Sequence, residues 1–209
     1  MRHSITRKSI ALAATLSALI CLTGLTSASW AATDPMQEGA RHFQHADYKA
    51  AVAAWQPLAI KGNPVAQNNL GILYLDGKGV KQDTSEALRY LSLSAASGSA
   101  LGQNNLGGLY REGKGVPRDY PKAAQWFTAS AGQGNAAAMY NLGLMYEMGQ
   151  GMKTEPFHAY MWYALAAEQN ITNAAAHRDA LWNRMTPAAQ KQAQGLAVAC
   201  KQQAFKGCR

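Results

Sequence analysis

Asn69-Leu70-Gly71-Ile72-Leu73-Tyr74-Leu75-Asp76-Gly77-Lys78-Gly79-Val80 is a stretch that the chain writes three times. Thirty-six residues on, Asn105-Leu106-Gly107 repeats its opening, and Asn141-Leu142-Gly143 repeats it again. The same offset carries Tyr74 to Tyr110 and Tyr146, Gly77 to Gly113 and Gly149, and Gly79 to Gly115 and Gly151. Further along, Ala87 maps to Ala123 and Ala159, Tyr90 to Trp126 and Trp162, and Ala95 to Ala131 and Ala167. Agreement in one register over so many positions marks an internal repeat of a single structural unit.

Each unit reads as two helices. Ala66, Leu70, Leu73 and Tyr74 fall on one helical stripe, and Ala87, Tyr90, Leu91, Ser94 and Ala95 fall on a second. Between them lies Asp76-Gly77-Lys78-Gly79-Val80, with glycines where a chain leaving a helix enters left-handed backbone angles. Asp83, Asp119 and Glu155 stand at the start of the second helix, where an acid complements the helix dipole. The small residues Ala66, Gly102 and Ala138 permit close helix approach. A helix pair cannot bury its apolar stripes alone, so the units must stack.

Over residues 63–172 these features resemble the Sel-one-like repeat (SLR) family, a branch of the tetratricopeptide (TPR) superfamily. Its pattern is Ala-x-x-x-Leu-Gly-x-x-Tyr, a Gly-x-Gly-Val loop, an acidic residue, then Ala-x-x-Trp and Ala-Ala-x-x-Gly. The third copy departs most, with Met152 in place of valine, Asn170 in place of glycine, and Pro156 opening its second helix. Upstream, Ala46-Asp47-Tyr48, Ala51 and Trp55 look like a shorter tetratricopeptide unit. The resemblance implies an all-α, right-handed α-solenoid. The division is a signal peptide at 1–31, a TPR-like helix pair at 32–62, SLR repeats at 63–98, 99–134 and 135–172, and a helical cap at 173–209.

The chain has 209 residues, 48% of them hydrophobic and 15% charged. A charged fraction near a quarter is usual, so the chain is charge-poor, yet it is too apolar for global disorder. Arg2, Arg7 and Lys8 precede an uncharged apolar run over residues 10–26, and Ser29-Trp30-Ala31 follows as a small-x-small exit. That layout is a secretory signal peptide, and it predicts a periplasmic or secreted protein. An uncleaved anchor is the alternative, although Thr15, Ser17 and Thr23 dilute the run. Ile20 stands before Cys21 where a lipoprotein needs a small residue. No later segment is apolar and long enough to span a bilayer, so no integral membrane segment is expected after cleavage.

From residue 32 to 172 basic and acidic residues balance, and the surplus of positive charge lies in the last 37 residues. This argues against nucleic acid as a partner. Arg178, Arg184, Lys191, Lys201, Lys206 and Arg209 instead offer an alternative function, binding an anionic envelope polymer or lipid surface. Cys200 and Cys208 lie in the same tail. In unbroken helix their α-carbons would be roughly 12 Å apart, beyond the roughly 7 Å that a disulfide tolerates. A bond therefore requires the last helix to end before Cys208, and Gly207 is placed for that. A structural disulfide is expected rather than a metal site, since no histidine is near.

Catalytic signatures are sparse. Gly108 to Lys114 spells most of a phosphate loop, but Gly115 follows where Ser or Thr is needed, and the segment is a helix-to-loop junction. His42 and His45 share a helical face near Asp47 without a third nitrogen or sulfur ligand, and read as solvated. His158 lies among aromatic residues and reads as core or groove edge. No serine, zinc or acylation motif appears. Some cysteine-rich relatives are associated with β-lactam binding or slow hydrolysis, but they carry a cysteine pair in each repeat, and no repeat here contains one. A weak amide hydrolase of that type stays as the second alternative, and a non-enzymatic protein without cofactor or metal is expected. Trp55, Tyr90, Trp126 and Trp162 read as core packing.

The candidate binding residues flank the first-helix core stripe. Val65, Asn69, Ile72 and Asp76 form a neighbouring stripe, repeated as Leu101, Asn105, Gly108 and Glu112, then as Ala137, Asn141, Leu144 and Met148. In a helical solenoid the first helices line the concave surface, so three asparagines would stand in a row along it. An amide can both donate to and accept from a peptide backbone. Tetratricopeptide relatives hold peptides with asparagine at the matching position, which implies an adaptor for a protein or peptide segment. Asn69, Asn105 and Asn141 would bond its backbone, Ile72 and Leu144 would supply apolar contact, and Asp76 and Glu112 would select against acidic ligands. Their carboxylate clamp also needs a lysine where Asn68, Asn104 and Tyr140 stand, which argues against recognition of a carboxyl terminus. The other reading is that each asparagine bonds the next repeat and meets no ligand.

Overall fold

The computed structural model describes residues 34–208. Within them the chain forms ten helices and no strand: α1 (Pro35–Gln44), α2 (Tyr48–Ile60), α3 (Pro64–Asp76), α4 (Thr84–Ala96), α5 (Ala100–Glu112), α6 (Tyr120–Ala131), α7 (Ala136–Met148), α8 (Pro156–Glu168), α9 (Thr172–Trp182) and α10 (Pro187–Gln202). The signal-peptide reading lies outside the described residues. Helices pair in sequence, and each second helix packs on the first helix of the next pair, giving an all-α solenoid.

Punctuation is nearly the same in each repeat. Asn63 opens α3 by accepting from the amides of Val65 and Ala66 at 3.0 and 2.9 Å. Ser99 and Asn135 do the same work for α5 and α7. All three first helices end on a left-handed glycine, Gly77, Gly113 or Gly149. The loop then closes with one backbone bond, from Asp83, Asp119 or Glu155 to the carbonyl of Tyr74, Tyr110 or Tyr146. Asp83 and Asp119 cap the second helices with their carboxylates. Glu155 departs from the expectation for this position. Its longer side chain makes no capping bond and reaches His158 Nδ1 at 3.1 Å instead.

Within a repeat, the glycine after Asn-Leu is where the two helices touch. A methyl group at Gly71, Gly107 or Gly143 would sit 2.6, 2.9 or 2.5 Å from Leu91, Phe127 or Tyr163. These large side chains are buried because the glycines leave room for them. Between repeats, the second loop glycine lies on the start of the preceding second helix. Gly79 abuts the backbone of Tyr48, Gly115 abuts Thr84, and Gly151 abuts Tyr120. Buried Ser94 donates to the carbonyl of Pro64 at 2.7 Å, and Ser130 donates to that of Ala100 at 2.6 Å. Gln67 and Gln103 reach back to the carbonyls of Ala59 and Ala95. The buried serine hydroxyls and glutamine amide nitrogens are thereby matched across helices, as a low-dielectric interior favours, while Gln67 Oε1 is left without a partner.

Trp55, Tyr90 and Trp162 are buried as expected, but Trp126 is only half-buried, packed against the cluster of Leu91, Leu106 and Leu109. In the cap, α9 and α10 both pack on α8. Helix α10 stops at Gln202, and Ala204, Phe205 and Gly207 take positive φ angles that turn the chain back. This brings the α-carbons of Cys200 and Cys208 to 5.3 Å in a disulfide, both residues buried. The helix thus ends earlier than Gly207 alone required. Phe205 packs on the core of the second and third repeats. Among the described residues no helix is long and apolar enough to cross a membrane.

Candidate functional site: the face of the first helices

The stripe of Asn69, Asn105 and Asn141 is held by α3, α5 and α7, and α3 rests directly on α5. All three asparagines are half-buried. They are joined through the residues before them into one hydrogen-bonded chain. Asn141 Nδ2 donates to Asn104 Oδ1 at 3.0 Å, and Asn104 Nδ2 to Asn105 Oδ1 at 3.3 Å. Asn105 Nδ2 donates to Asn68 Oδ1 at 2.7 Å, and Asn68 Nδ2 to Asn69 Oδ1 at 3.4 Å. Arg111 Nη1 heads the chain, donating to Asn141 Oδ1 at 2.7 Å. Every bond points the same way, so each amide polarises the next. Asn105 and Asn141 therefore bond the preceding repeat, Asn69 accepts only from Asn68 of its own repeat, and all three also present an edge to solvent.

The pattern runs one position further than sequence reasoning recognised. His177 of α9 stands thirty-six residues after Asn141, and Glu147 stands thirty-six after Arg111. His177 Nδ1 lies 3.2 Å from Glu147 Oε2, which also accepts from the Tyr163 hydroxyl at 2.6 Å. Tyr140, at the Asn104 position, packs with His177 and Tyr163. Burial, and then the bond to Glu147, pushes the Tyr163 hydroxyl pKa far above its ordinary value, so it remains a donor. The polar ladder thus ends against the cap in an aromatic cluster.

Beside the ladder the surface is indented twice. One cavity of about 210 Å³ lies between α1, α2 and α3, walled by Phe43, Trp55 and Ile72 with Asn69 at its edge. A second, of about 240 Å³, lies over α5 with Ile72, Asn105, Arg111 and Asn141 around it. Leu144 is half-buried and leans on the cluster of Tyr160, Tyr163 and Leu181, toward the cap. Asp76 is exposed and paired with Lys78 at 2.9 Å, a bond that holds the lysine pKa above its ordinary value. Glu112, also exposed, pairs with Arg111 at 3.2 Å. Both carboxylates are thus partly neutralised within their own repeats, which weakens the negative rim expected from sequence.

The other candidates are placed as follows. His42 sits between Glu38 and Asp47 at 3.8 and 3.4 Å. His158 stacks on Tyr146. The Gly108–Lys114 stretch ends α5 on Gly113 and opens no helix. In the basic tail, Arg178 pairs with Asp179 at 2.8 Å and Lys201 with Glu168 at 2.6 Å, while Arg184, Lys191 and Lys206 are exposed. Arg209 lies outside the described residues.

Against known proteins, the family profile of the Sel1 repeat matches residues 64–99, 100–135 and 136–171. A crystal structure of a protective antigen present in uropathogenic Escherichia coli strains, displaying an SLR fold, superposes with a TM-score of 0.67 and 31% identity over 80% of this chain. This chain spans 38% of that protein's length. A Sel1 repeat protein from Oxalobacter formigenes superposes with a TM-score of 0.65 and 25% identity, covering 79% of this chain and 71% of that one. A search of curated proteins gives no match.

Proposed function

The chain belongs to the Sel1 repeat family, and from that premise we propose that it is an exported, non-catalytic adaptor that holds a segment of a protein partner against its first helices. Sel1 repeats generally serve as protein-interaction scaffolds, and the family is generally non-catalytic. The observation that carries the reading is the half-buried amide ladder of Asn69, Asn105 and Asn141 with open cavities beside it. A peptide backbone lying along α3, α5 and α7 would exchange hydrogen bonds with the ladder's solvent edge, while Ile72 and Leu144 cover its apolar side chains. Export rests on the basic-apolar-small layout of residues 1–31 and on a disulfide in the tail, a bond that persists in oxidising compartments.

The test is site-specific photo-cross-linking in the source cells. A cross-linker replacing Ile72 should yield a discrete protein adduct, whereas one replacing Ile60, which is 75% exposed at the end of α2, should not. Equal labelling at both positions, or none at Ile72, would remove the assignment. On the purified protein a chromogenic β-lactam should show no turnover above buffer.

A further inference from the structure

At the position one turn beyond each ladder asparagine stand Ile72, Gly108 and Leu144. Glycine inside a helix is unfavourable, because it loses more backbone freedom than other residues on folding. Gly71, Gly107 and Gly143 are explained by the side chains a methyl group would strike. Gly108 is not: a methyl group there meets no atom within 4 Å. What its missing side chain leaves is the 240 Å³ cavity over α5, a notch bordered by Ile72 on one side and Asn141 on the other.

The notch is electrostatically uneven. Arg111, Glu112 and Lys114 line it, and Glu112 is already paired with Arg111. Lys114 pairs with no acid among the described residues, so the local balance is positive. Arg111 is also pinned by Asn141, using two of its five donors in fixed directions and leaving others to be offered without further ordering.

Resting on the adaptor reading above, we infer that Gly108 marks where the main chain of the bound segment crosses α5, with an aspartate or glutamate of that segment seated in the notch opposite Arg111 and Lys114. The absent side chain allows backbone to approach the helix as it cannot beside Ile72 or Leu144. An acid is the occupant that completes the unpaired lysine and meets a preset guanidinium. The notch thus fixes the register of a segment whose neighbouring apolar side chain reaches the Phe43, Trp55 and Ile72 cavity.

The test uses the full chain and a positional library of decapeptides acetylated and amidated at their ends, so that any carboxylate preference comes from side chains. Fluorescence binding should show one position selecting Asp or Glu. Gly108→Leu, which fills the notch, should weaken those peptides at least about tenfold while the melting temperature stays the same or rises. Lys114→Glu should move the preference at that position toward Lys and Arg. Acid-indifferent binding, or Gly108→Leu binding as tightly as the parent, overturns the notch and leaves the adaptor reading standing if Ile72→Asp still abolishes binding. No selection by the parent and no effect at Ile72 overturns both.

Discussion

Arg111 in the second repeat donates to the amide oxygen of Asn141 in the third at 2.7 Å. With a side chain only 24% exposed, its guanidinium also lies 5.8 Å from the Phe127 ring centre. One residue therefore closes the amide ladder, covers the second repeat's core and ties two repeats together. Arg111→Ala should cost about 1–3 kcal/mol, since it removes a charged donor and leaves a half-buried acceptor short of a partner. Urea unfolding checks the size. A double-mutant cycle with Asn141→Ala should show coupling of at least about 0.5 kcal/mol, and strict additivity would mean the bond contributes nothing to stability.

Two adjacent glycines should respond to alanine with opposite signs. At Gly107 the new methyl group lies 2.9 Å from the fully buried Phe127 ring, so the ring or the helix must shift. Gly107→Ala should destabilise by about 1–3 kcal/mol. At Gly108 the methyl group enters open space, and the helix gains up to about 1 kcal/mol from alanine's better propensity. Thermal melts of the pair decide it, and a loss at both positions would contradict the packing described for α5.

That contrast shows what the sequence could and could not reveal. The 36-residue offset exposes Gly71, Gly107 and Gly143 because each meets the same second-helix position, so packing repeats wherever spacing repeats. The left-handed cap glycines are legible for the same reason. The amide ladder was only half legible. Its asparagines are visible, but no spacing marks their partners, Asn68 and Asn104, which stand where a carboxylate clamp needs lysine. Which side chain an amide bonds depends on the stagger of neighbouring helices, and no linear spacing encodes that. His177 lies at the right offset, but Tyr140 and Glu147 replace the polar pattern around it, so the offset alone does not mark it. Glu155 fails as a cap because one extra methylene carries its carboxylate past the helix amides to His158.

The terminal aromatic cluster should make stability depend on alkaline pH. The pKa of Tyr163 is raised above the ordinary 10.0 in the folded protein by burial and by its bond to Glu147. Below pH 10 both folded and unfolded chains keep the proton, and the contribution of the neutral hydroxyl is fully present. Above pH 10 the unfolded chain releases the proton while the folded one retains it, so stability falls as pH rises. Tyr163→Phe should cost about 1–2 kcal/mol at neutral pH for the lost hydrogen bond and flatten the decline between pH 10 and 11. An unchanged slope in urea titrations would mean that the hydroxyl ionises freely in the native state.

Breaking the tail disulfide should loosen the end of the cap without unfolding the solenoid. The bond closes a short loop, for which chain entropy predicts about 2–3 kcal/mol. That contribution acts where α10 ends at Gln202 and the chain reverses through Ala204 and Phe205 at positive φ, angles that non-glycine residues do not hold cheaply. Released by Cys200→Ser with Cys208→Ser, this turn should open, and Phe205 should leave the core of the second and third repeats. Trypsin should then cut after Lys201 and Lys206 much faster than in the parent. Hydrogen exchange in α3 to α5, whose core residues lie outside the cluster that holds Cys200, Cys208 and Phe205 apart from Tyr110 at its margin, should change little. Faster exchange throughout those helices would instead show that the cap is needed to hold the whole stack together.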